Sequence, residues 1–260
     1  MARGDEPVQP ARHSASRRRR LWWGVVSIVT LGLLASAATL IMLTEAHQEI
    51  IEPQTQSMDL ALLDQTHTLA NPAATGFMQA ITLPGSAAAL ALVVLVSAII
   101  LFLRHAWVEA LGLIAASACA GLLDAILKLW FHRARPSVEW ALASEPTFSF
   151  PSGHAMLSLV VYGMLLYLIL RLSHSFLIGA AASLIALPLI LAIGLSRVYL
   201  GVHYPSDILA GYLAGAIWLL AVIVSLEALH RLFPTHILAT MEPAYDAEHA
   251  LAPERVQSGQ

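Results

Sequence analysis

The sequence predicts an all-α fold, a polytopic membrane protein whose six transmembrane helices pack as a bundle. Composition gives the first indication: of 260 residues, 58% are hydrophobic and 12% are charged, and the mean hydropathy is +0.71. About a quarter of the residues of a soluble domain are charged. Six apolar segments also reach the roughly 18 residues that cross a bilayer. Because backbone groups cannot remain unpaired in lipid, each segment is expected to be an α-helix.

The predicted spans define the organisation of the chain. They cover about residues 21–43, 83–103, 107–127, 155–171, 176–195 and 208–229. The first is too long for the apolar core of a signal peptide and precedes no small-residue cleavage site, so it is expected to be retained. The fourth is short unless His154 and Arg171 lie at its two interfaces. We therefore expect one membrane domain at 21–229, with a cytoplasmic tail on each side of it, 1–20 and 230–260. The composition of 1–20 is typical of disorder.

The basic residues indicate how the spans are oriented. The string "SRRRR" (Ser16–Arg20) directly precedes the first span, and positive charge beside a first helix stays in the cytoplasm. Alternation of six spans then places 44–82, 128–154 and 196–207 outside. Ten of the fourteen basic residues fall on the cytoplasmic side: Arg3, Arg12, Arg17, Arg18, Arg19, Arg20, Arg104, Arg171, Arg231 and Arg255.

Four cations remain on the predicted outer face: Lys128, Arg133, Arg135 and Arg197. Outer loop 44–82 contains none, and its apolar residues from 58 onward have the spacing of a helix lying on the membrane surface or of a plain connector. Topology disfavours positive charge on this face. An anion bound there would explain why these four are retained.

Three strings contain these cations and the polar residues near them. They are "KLWFHRARP" (Lys128–Pro136), "PSGH" (Pro151–His154) and "SRVYLGVHYPSD" (Ser196–Asp207). In this order, on one membrane face, they resemble the signature of the type-2 phosphatidic acid phosphatase superfamily. Its members are integral membrane lipid phosphate phosphatases, and also vanadium haloperoxidases and glucose-6-phosphatase. The matching positions, within roughly 128–207, are Lys128, Arg135, Ser152, Gly153, His154, Arg197 and His203, followed by Asp207.

The residue types in the signature suit a phosphate group. A transferring phosphoryl group spreads negative charge over three oxygens, so its catalysis depends mainly on positioning and charge. Arg135 and Arg197 offer planar forks for phosphate, and Lys128 adds a compact positive charge. Ser152 and Gly153 lie where the fourth span begins, and a helix N-terminus presents free N–H groups to an anion. Glycine also permits close approach of the backbone to the phosphate.

The resemblance implies a role for each remaining position. His203 is expected to attack phosphorus and form a phosphohistidine, while Asp207 accepts a hydrogen bond from the other ring nitrogen. His154 is expected to protonate the leaving oxygen and then to activate the water that hydrolyses the intermediate. No cofactor or metal is expected, since the cations take its place and the outer loops lack a carboxylate cluster typical of magnesium sites.

Each position also has an ordinary structural alternative when taken alone. Lys128 and Arg135 could extend to the membrane interface, and Lys128 could pair with Asp124, four residues earlier. Ser152 could be only a helix cap, and either histidine could be a simple interfacial residue. Arg133 lies outside the signature, and we expect it to be exposed or in contact with lipid headgroups. The eight positions at family spacing together favour an active site.

The expected activity is that of a metal-independent membrane phosphatase. Its substrates would be lipid phosphate monoesters or diphosphates, such as undecaprenyl diphosphate, phosphatidylglycerol phosphate or phosphatidic acid. A lipid phosphotransferase could use the same intermediate, and a phosphate or phospholipid transporter could bind without turnover. The expected partners are the lipid substrate and membrane lipids, with no nucleic acid; the sequence leaves the oligomeric state and the role of 44–82 open. The expected location is the bacterial inner membrane, with both termini cytoplasmic and the catalytic loops at the extracytoplasmic face.

Overall fold

The structure, a computed structural model, describes residues 30–32, 34–45, 47–50, 52–173 and 175–232. Within these ranges it is helical and has no β-strand. Residues 25–226 form one compact unit, and a second unit, 1–24 with 227–260, is described only at 227–232, where the last helix ends. The helices are α1 (Thr30–Ile50), α2 (Pro53–His67), α3 (Pro72–Thr82), α4 (Ala87–Leu103), α5 (Trp107–Phe131), α6 (Gly153–Leu172), α7 (Phe176–Tyr199) and α8 (Pro205–Leu232), with a 3₁₀ turn at Leu83–Gly85.

Several of these helices are apolar enough to cross a membrane. Among the described residues, five meet the length and composition required, namely α1, α5, α6, α7 and α8, and the bent pair of Pro72–Gly85 with α4 makes a sixth if it is one span. Large apolar side chains point outward: Leu103, Phe176 and Leu184 are 76%, 86% and 76% exposed. Such faces suit contact with lipid. The predicted all-α, polytopic membrane fold is therefore confirmed, with five or six spans.

Four helices extend further toward the predicted site than hydropathy indicated. α5 ends at Phe131 and α7 at Tyr199, against predicted ends near 127 and 195. On the same side, α6 begins at Gly153 and α8 at Pro205, against predicted starts near 155 and 208. The additional turns contain charged and polar residues, which lower the hydropathy of the sequence. Because Lys128, Arg197 and Asp207 are paired inside the protein, α5, α7 and α8 continue through them.

The first two spans differ from prediction for other reasons. α4 begins at Ala87 rather than near 83, because the turn at Leu83–Gly85 contains a proline and the helix axes on either side of it differ by 48°. The side chain of Ser86 then caps α4 by accepting a hydrogen bond from a backbone N–H at 3.3 Å. The first predicted span starts at 21, but 21–29 lie outside the described residues, as do the tail 1–20 and residues 233–260.

Helices α5, α6 and α8 share the core that lies beside the predicted site. Its buried members on these helices are Ala116, Ala120, Leu123, Leu127, Met156, Val160, Ala210 and Ala214. Two glycines bring α8 close to α6: a Cβ on Gly211 would lie 2.6 Å from the carbonyl oxygen of Ser152, and one on Gly215 would lie 2.9 Å from that of Met156. Small residues at this spacing allow helix backbones to approach closely. The start of α6 is thereby fixed against the first turns of α8.

Candidate active site

All the residues of the predicted site belong to the described chain and lie at the ends of helices or in the loops that join them. Lys128 is in the last turn of α5, Arg135 in the loop before α6, Ser152 directly before α6, Gly153 and His154 in the first turn of α6, Arg197 in the last turn of α7, His203 between α7 and α8, and Asp207 in the first turn of α8. Backbone contacts join these segments. The N–H of Ser152 donates to the carbonyl of Asp207 at 3.0 Å, and the Lys128 ammonium donates to the carbonyl of Pro151 at 2.9 Å.

His203 is held on both ring nitrogens. Nδ1 lies 3.3 Å from Asp207 Oδ2, and Nε2 lies 3.0 Å from Arg135 Nη1. A guanidinium only donates, so the Nε2 that faces Arg135 must carry the lone pair and Nδ1 the proton. Nδ1–H then donates to Asp207. The two neighbours together select the tautomer in which Nε2 carries the lone pair.

Electrostatics favour the neutral form of His203. Burial lowers the pKa of its imidazole from 6.5 to about 4, although the hydrogen bond and charge of Asp207 act in the opposite direction. Burial also lowers the pKa of Arg135 from its ordinary value, opposed by the charge of Glu145, but a guanidinium stays protonated in proteins. A neutral imidazole therefore lies against a permanent cation.

Arg135 has all five of its N–H donors engaged. Nε donates to the carbonyl of Thr147 at 2.7 Å, and Nη2 donates to the Thr147 hydroxyl at 3.0 Å and the carbonyl of Phe148 at 3.2 Å. Nη1 donates to the carbonyl of Val202 at 2.8 Å and to His203. The guanidinium plane is thus fixed by loop backbone. Of these partners, His203 is the one that contributes a titratable side chain.

Asp207 has two functions in the first turn of α8. Its Oδ2 accepts from the backbone N–H of Tyr204 at 3.0 Å, which caps the helix in the manner of a capping box. The same oxygen accepts from the Ser149 hydroxyl at 2.5 Å and faces His203 Nδ1. Oδ1 accepts from Arg133 Nη1 at 2.5 Å. The carboxylate is completely buried, and its orientation is fixed by donors on three sides.

Lys128 forms the ion pair with Asp124 that its spacing indicated. Nζ lies 2.5 Å from Asp124 Oδ1, and both side chains are largely buried. Gly153 makes room for this pair: a Cβ there would lie 2.8 Å from Asp124 Oδ2 and 3.1 Å from Lys128 Nζ. The glycine thus allows the ammonium to lie beside the N-terminus of α6, where anions are favoured.

Two predicted phosphate-binding residues contain a buried polar atom without a partner. Among the described residues, Ser152 Oγ and Arg197 Nε are both buried and make no hydrogen bond. Ser152 precedes α6 but its side chain does not cap the helix, so the sequence alternative of a simple cap is not what the structure contains. The other Arg197 nitrogens donate to Thr82 Oγ1 at 2.9 Å and Glu145 Oε1 at 2.5 Å. An unsatisfied buried donor costs about 1–3 kcal/mol, and ligand oxygens would remove that cost.

His154 lies at the edge of this constellation. It is partly exposed in the first turn of α6, and a Cβ on Gly85 would approach its ring to 3.1 Å. It interacts electrostatically with Arg197, His203 and Lys128. Within the described part of the chain its ring nitrogens have no hydrogen-bond partner. Both nitrogens are therefore available for proton transfer.

Sequence reasoning placed Arg133 wrongly and missed four residues that contact the predicted site. Arg133 was expected to be exposed or in contact with lipid headgroups, but its side chain is only 8% exposed and pairs with Asp59 and Asp207. Desolvation of a cation is costly, and two carboxylates compensate that cost here. Sequence reasoning gave no role to the other partners in the network, which are Asp59, Thr82, Glu145 and Ser149.

The nature of the donors bears on what the site can bind. The structure brings together three cationic side chains of the signature, two histidines and the start of a helix. Over the described residues, no group of three or more His, Cys, Asp or Glu side chains is arranged to hold a metal ion. Within the predicted site, the buried polar atoms that lack partners belong to Ser152 and Arg197. Such an arrangement suits a tetrahedral oxyanion next to the Nε2 lone pair of a histidine.

Comparison with known proteins gives consistent matches. The model of the PAP2 superfamily matches residues 109–231, which include every predicted site residue. Phosphatidylglycerophosphatase B of Bacillus subtilis is 34% identical over 166 residues, which are 62% of this chain and 79% of the relative. An undecaprenyl-diphosphatase of Sulfolobus acidocaldarius is 28% identical over 138 residues, 51% of this chain and 62% of the relative.

A solved structure has a similar fold. It is the crystal structure of a transmembrane PAP2-type phosphatidylglycerolphosphate phosphatase from Bacillus subtilis. The TM-score is 0.62 and the sequences are 30% identical, with 76% of this chain and 94% of that chain covered. The similarity therefore extends over nearly the whole of the solved protein.

Proposed function

The chain belongs to the PAP2 superfamily, and on this premise we propose that it is a membrane phosphatase that hydrolyses lipid phosphate monoesters or diphosphates through a phosphohistidine intermediate. The observation that carries the proposal is the position of His203 between Asp207 and Arg135. These contacts leave Nε2 as a neutral nucleophile beside a cation, which is what attack on a phosphate requires.

The first step forms a bond between His203 Nε2 and phosphorus while the bond from phosphorus to the lipid oxygen breaks. The N–H of Arg135 that faces Nε2 donates its hydrogen bond to a phosphate oxygen instead, and Lys128, Arg197 and Ser152 contribute further donors. The phosphorylated imidazolium keeps its Nδ1–H on Asp207, whose negative charge stabilises it. The negative charge of the bound phosphate favours the protonated form of His154, which donates its proton to the departing lipid oxygen.

The second step releases inorganic phosphate. His154, now neutral, accepts a proton from water, and the hydroxide forms a bond to phosphorus as the bond to Nε2 breaks. The electron pair returns to Nε2, which restores the tautomer of the resting enzyme.

Before either step, a substrate must displace Glu145 from Arg197, because this carboxylate accepts a hydrogen bond from one of the arginine nitrogens at 2.5 Å. The resting site thus holds an internal anion where the phosphate would bind.

The relatives support a lipid substrate. Their names identify phosphatidylglycerophosphate and undecaprenyl diphosphate as what those proteins act on. In this chain the proposed catalytic groups lie at the ends of spanning helices, where a headgroup can reach them while its tails remain in the bilayer. We place the physiological substrate among such lipids, with phosphatidic acid and diacylglycerol diphosphate as further members of the class.

The test is release of inorganic phosphate from the purified full chain with each of these lipids, with and without a chelator. We expect release from at least one lipid, at a rate that the chelator leaves unchanged. No release from any lipid would refute a phosphatase and favour a binding or transport protein. Release that requires a second acceptor lipid would make the chain a phosphotransferase. Loss of activity in chelator would contradict the metal-independent mechanism.

We also propose that the active site opens on the extracytoplasmic side of a bacterial inner membrane, because four cations collect there against the charge bias that orients the other ten. Cys119 is the only cysteine in the chain, so a Cys119→Ser background permits single-site labelling. In intact cells, a membrane-impermeant maleimide is expected to label Glu139→Cys, an exposed loop position. Labelling only after lysis would reverse the orientation. Arg104→Cys provides the matched position on the opposite side.

A further inference from the structure

Arg133 and Asp59 form a buried ion pair that the proposed reaction does not use. Their side chains are 8% and 5% exposed, and Arg133 Nη2 lies 2.9 Å from Asp59 Oδ2. Burying two charges costs several kcal/mol per ion in desolvation, so a buried pair is weak evidence for stability by itself. The contacts that the pair makes with its surroundings indicate what it is for.

Asp59 connects α2 to the first turn of α8. Its Oδ1 accepts from the backbone N–H of Ser206 at 3.1 Å, and its Oδ2 accepts from the Ser206 hydroxyl at 2.5 Å. That N–H is one of the unpaired donors at a helix start. Arg133 Nη1 donates to the same hydroxyl at 2.8 Å. A residue far away in sequence is thereby fixed to the turn that contains Asp207.

Arg133 controls both oxygens of Asp207. It donates directly to Oδ1 at 2.5 Å. Its backbone carbonyl accepts from Ser149 N–H at 2.9 Å, and the Ser149 hydroxyl donates to Oδ2 at 2.5 Å. Its Cζ also lies 4.2 Å from the centre of the Tyr204 ring, the residue that follows His203. Arg133 therefore contacts or supports every neighbour on the Asp207 side of the imidazole.

The charges of this network match the reaction. Asp59, Arg133 and Asp207 together carry one negative charge, and Asp207 places it next to His203. When the imidazole becomes a phosphorylated cation, the group as a whole becomes neutral. Without Arg133 two buried carboxylates would carry two negative charges, and burial favours proton uptake by one of them. A protonated Asp207 would no longer stabilise the cation.

We propose that Arg133 and Asp59 are positioning residues for His203. Through Asp207 they hold the imidazole so that Nε2 faces the phosphoryl group, and neither is expected to touch the substrate. This inference rests on the proposed function, because it assigns His203 as the nucleophile. It predicts a loss in kcat with little change in KM, since substrate-binding groups remain in place.

The test compares variants of the full chain with p-nitrophenyl phosphate and with the best lipid substrate. We expect Arg133→Met to lower kcat about 100-fold, the loss that a misplacement of about 1 Å can cause, with KM changed less than threefold. Asp59→Asn is expected to lower kcat about tenfold. The double variant is expected to lose less than the product of the two single losses, because Asp59 and Arg133 contact each other and share the Ser206 hydroxyl. Arg133→Lys keeps the charge without the fork and is expected to recover about tenfold over Arg133→Met.

Exposed residues provide matched controls. Arg104→Met and Asp64→Asn remove the same side-chain types from exposed positions, Asp64 on the same helix as Asp59, and are expected to keep wild-type kcat. Thermal melting in detergent separates loss of fold from loss of rate. If Arg133→Met fails to fold, the decision passes to Arg133→Lys, for which wild-type kcat would overturn the inference.

Three kinetic results contradict the proposed roles. The first is wild-type kcat in Arg133→Met. The second is a raised KM with unchanged kcat in that variant, which would make Arg133 a phosphate ligand. The third is a double variant whose loss in kcat is the product of the single losses. Failure of the proposed function is distinguishable from these. Wild type that hydrolyses nitrophenyl phosphate but no lipid refutes the lipid substrate, while the variants still decide the inference. Wild type that hydrolyses neither compound refutes both.

Discussion

His203→Ala is expected to abolish turnover, with a loss of about 10⁴-fold or more in kcat, as when a nucleophile is removed from other covalent enzymes. The reason is that Nε2 of His203 is the atom proposed to form the bond to phosphorus, and among the described residues no other imidazole is held between an aspartate and an arginine in the same way. Incubation with a ³²P-labelled lipid phosphate, followed by rapid denaturation, measures the phosphoenzyme. Wild type is expected to carry an acid-labile label and His203→Ala none.

His105→Asn is the matched control for the nucleophile. His105 is exposed after α4 and has a φ of 58°, a conformation that asparagine tolerates, so both label and turnover should equal those of wild type. Label in His203→Ala would assign the nucleophile to another residue.

The pH dependence gives a second check: because burial lowers the pKa of His203 to about 4, the imidazole stays neutral at mildly acidic pH. A rate of phosphoenzyme formation that falls as the pH drops through about 6.5, the ordinary pKa of histidine, would contradict that environment.

The sequence indicated the proposed site more fully than it indicated the residues around it. Lys128, Arg135 and Arg197 stood out as cations on a face where membrane topology disfavours positive charge, and His203 stood out through its place in the family signature. The structure brings each of them to the same end of the helices. Their partners could not be identified in this way. Glu145, for example, acquires its role only through a contact with Arg197 across 52 residues of sequence.

Arg133 and Asp59 show why topology rules fail for buried charges. Sequence rules predict that a cation near the end of a spanning helix is exposed. They also attribute an acid in an outer loop to the charge bias that orients the spans in the membrane. Both assumptions hold for isolated charges. Here the two side chains compensate one another across 74 residues and become buried together. The same compensation explains why α5 and α7 continue as helix through Lys128 and Arg197.

His154→Gln is expected to slow hydrolysis of a lipid monoester about 10²- to 10⁴-fold, the usual contribution of general acid–base catalysis. The first step then lacks the proton donor for a lipid alkoxide, and the second lacks the base for water. The loss in the first step should depend on the leaving group. From a lipid diphosphate the leaving group is the lipid monophosphate, whose second pKa is about 6, so it does not need the proton. Formation of the phosphoenzyme from a diphosphate should therefore stay close to the wild-type rate.

The second step separates His154 from a merely structural histidine. With p-nitrophenyl phosphate, His154→Gln is expected to release one equivalent of nitrophenol rapidly and then to stall. Nitrophenolate leaves without an acid, so the phosphohistidine forms, but its hydrolysis lacks the base that activates water. The labelled phosphoenzyme should accumulate in this variant, whereas it is absent from His203→Ala. Equal losses for nitrophenyl phosphate, diphosphate and monoester, with no burst and no label, would show that His154 shapes the phosphate site rather than moving protons. Within the described residues the ring nitrogens of His154 have no hydrogen-bond partner and lie at the partly exposed edge of the site, which favours the proton-transfer outcome.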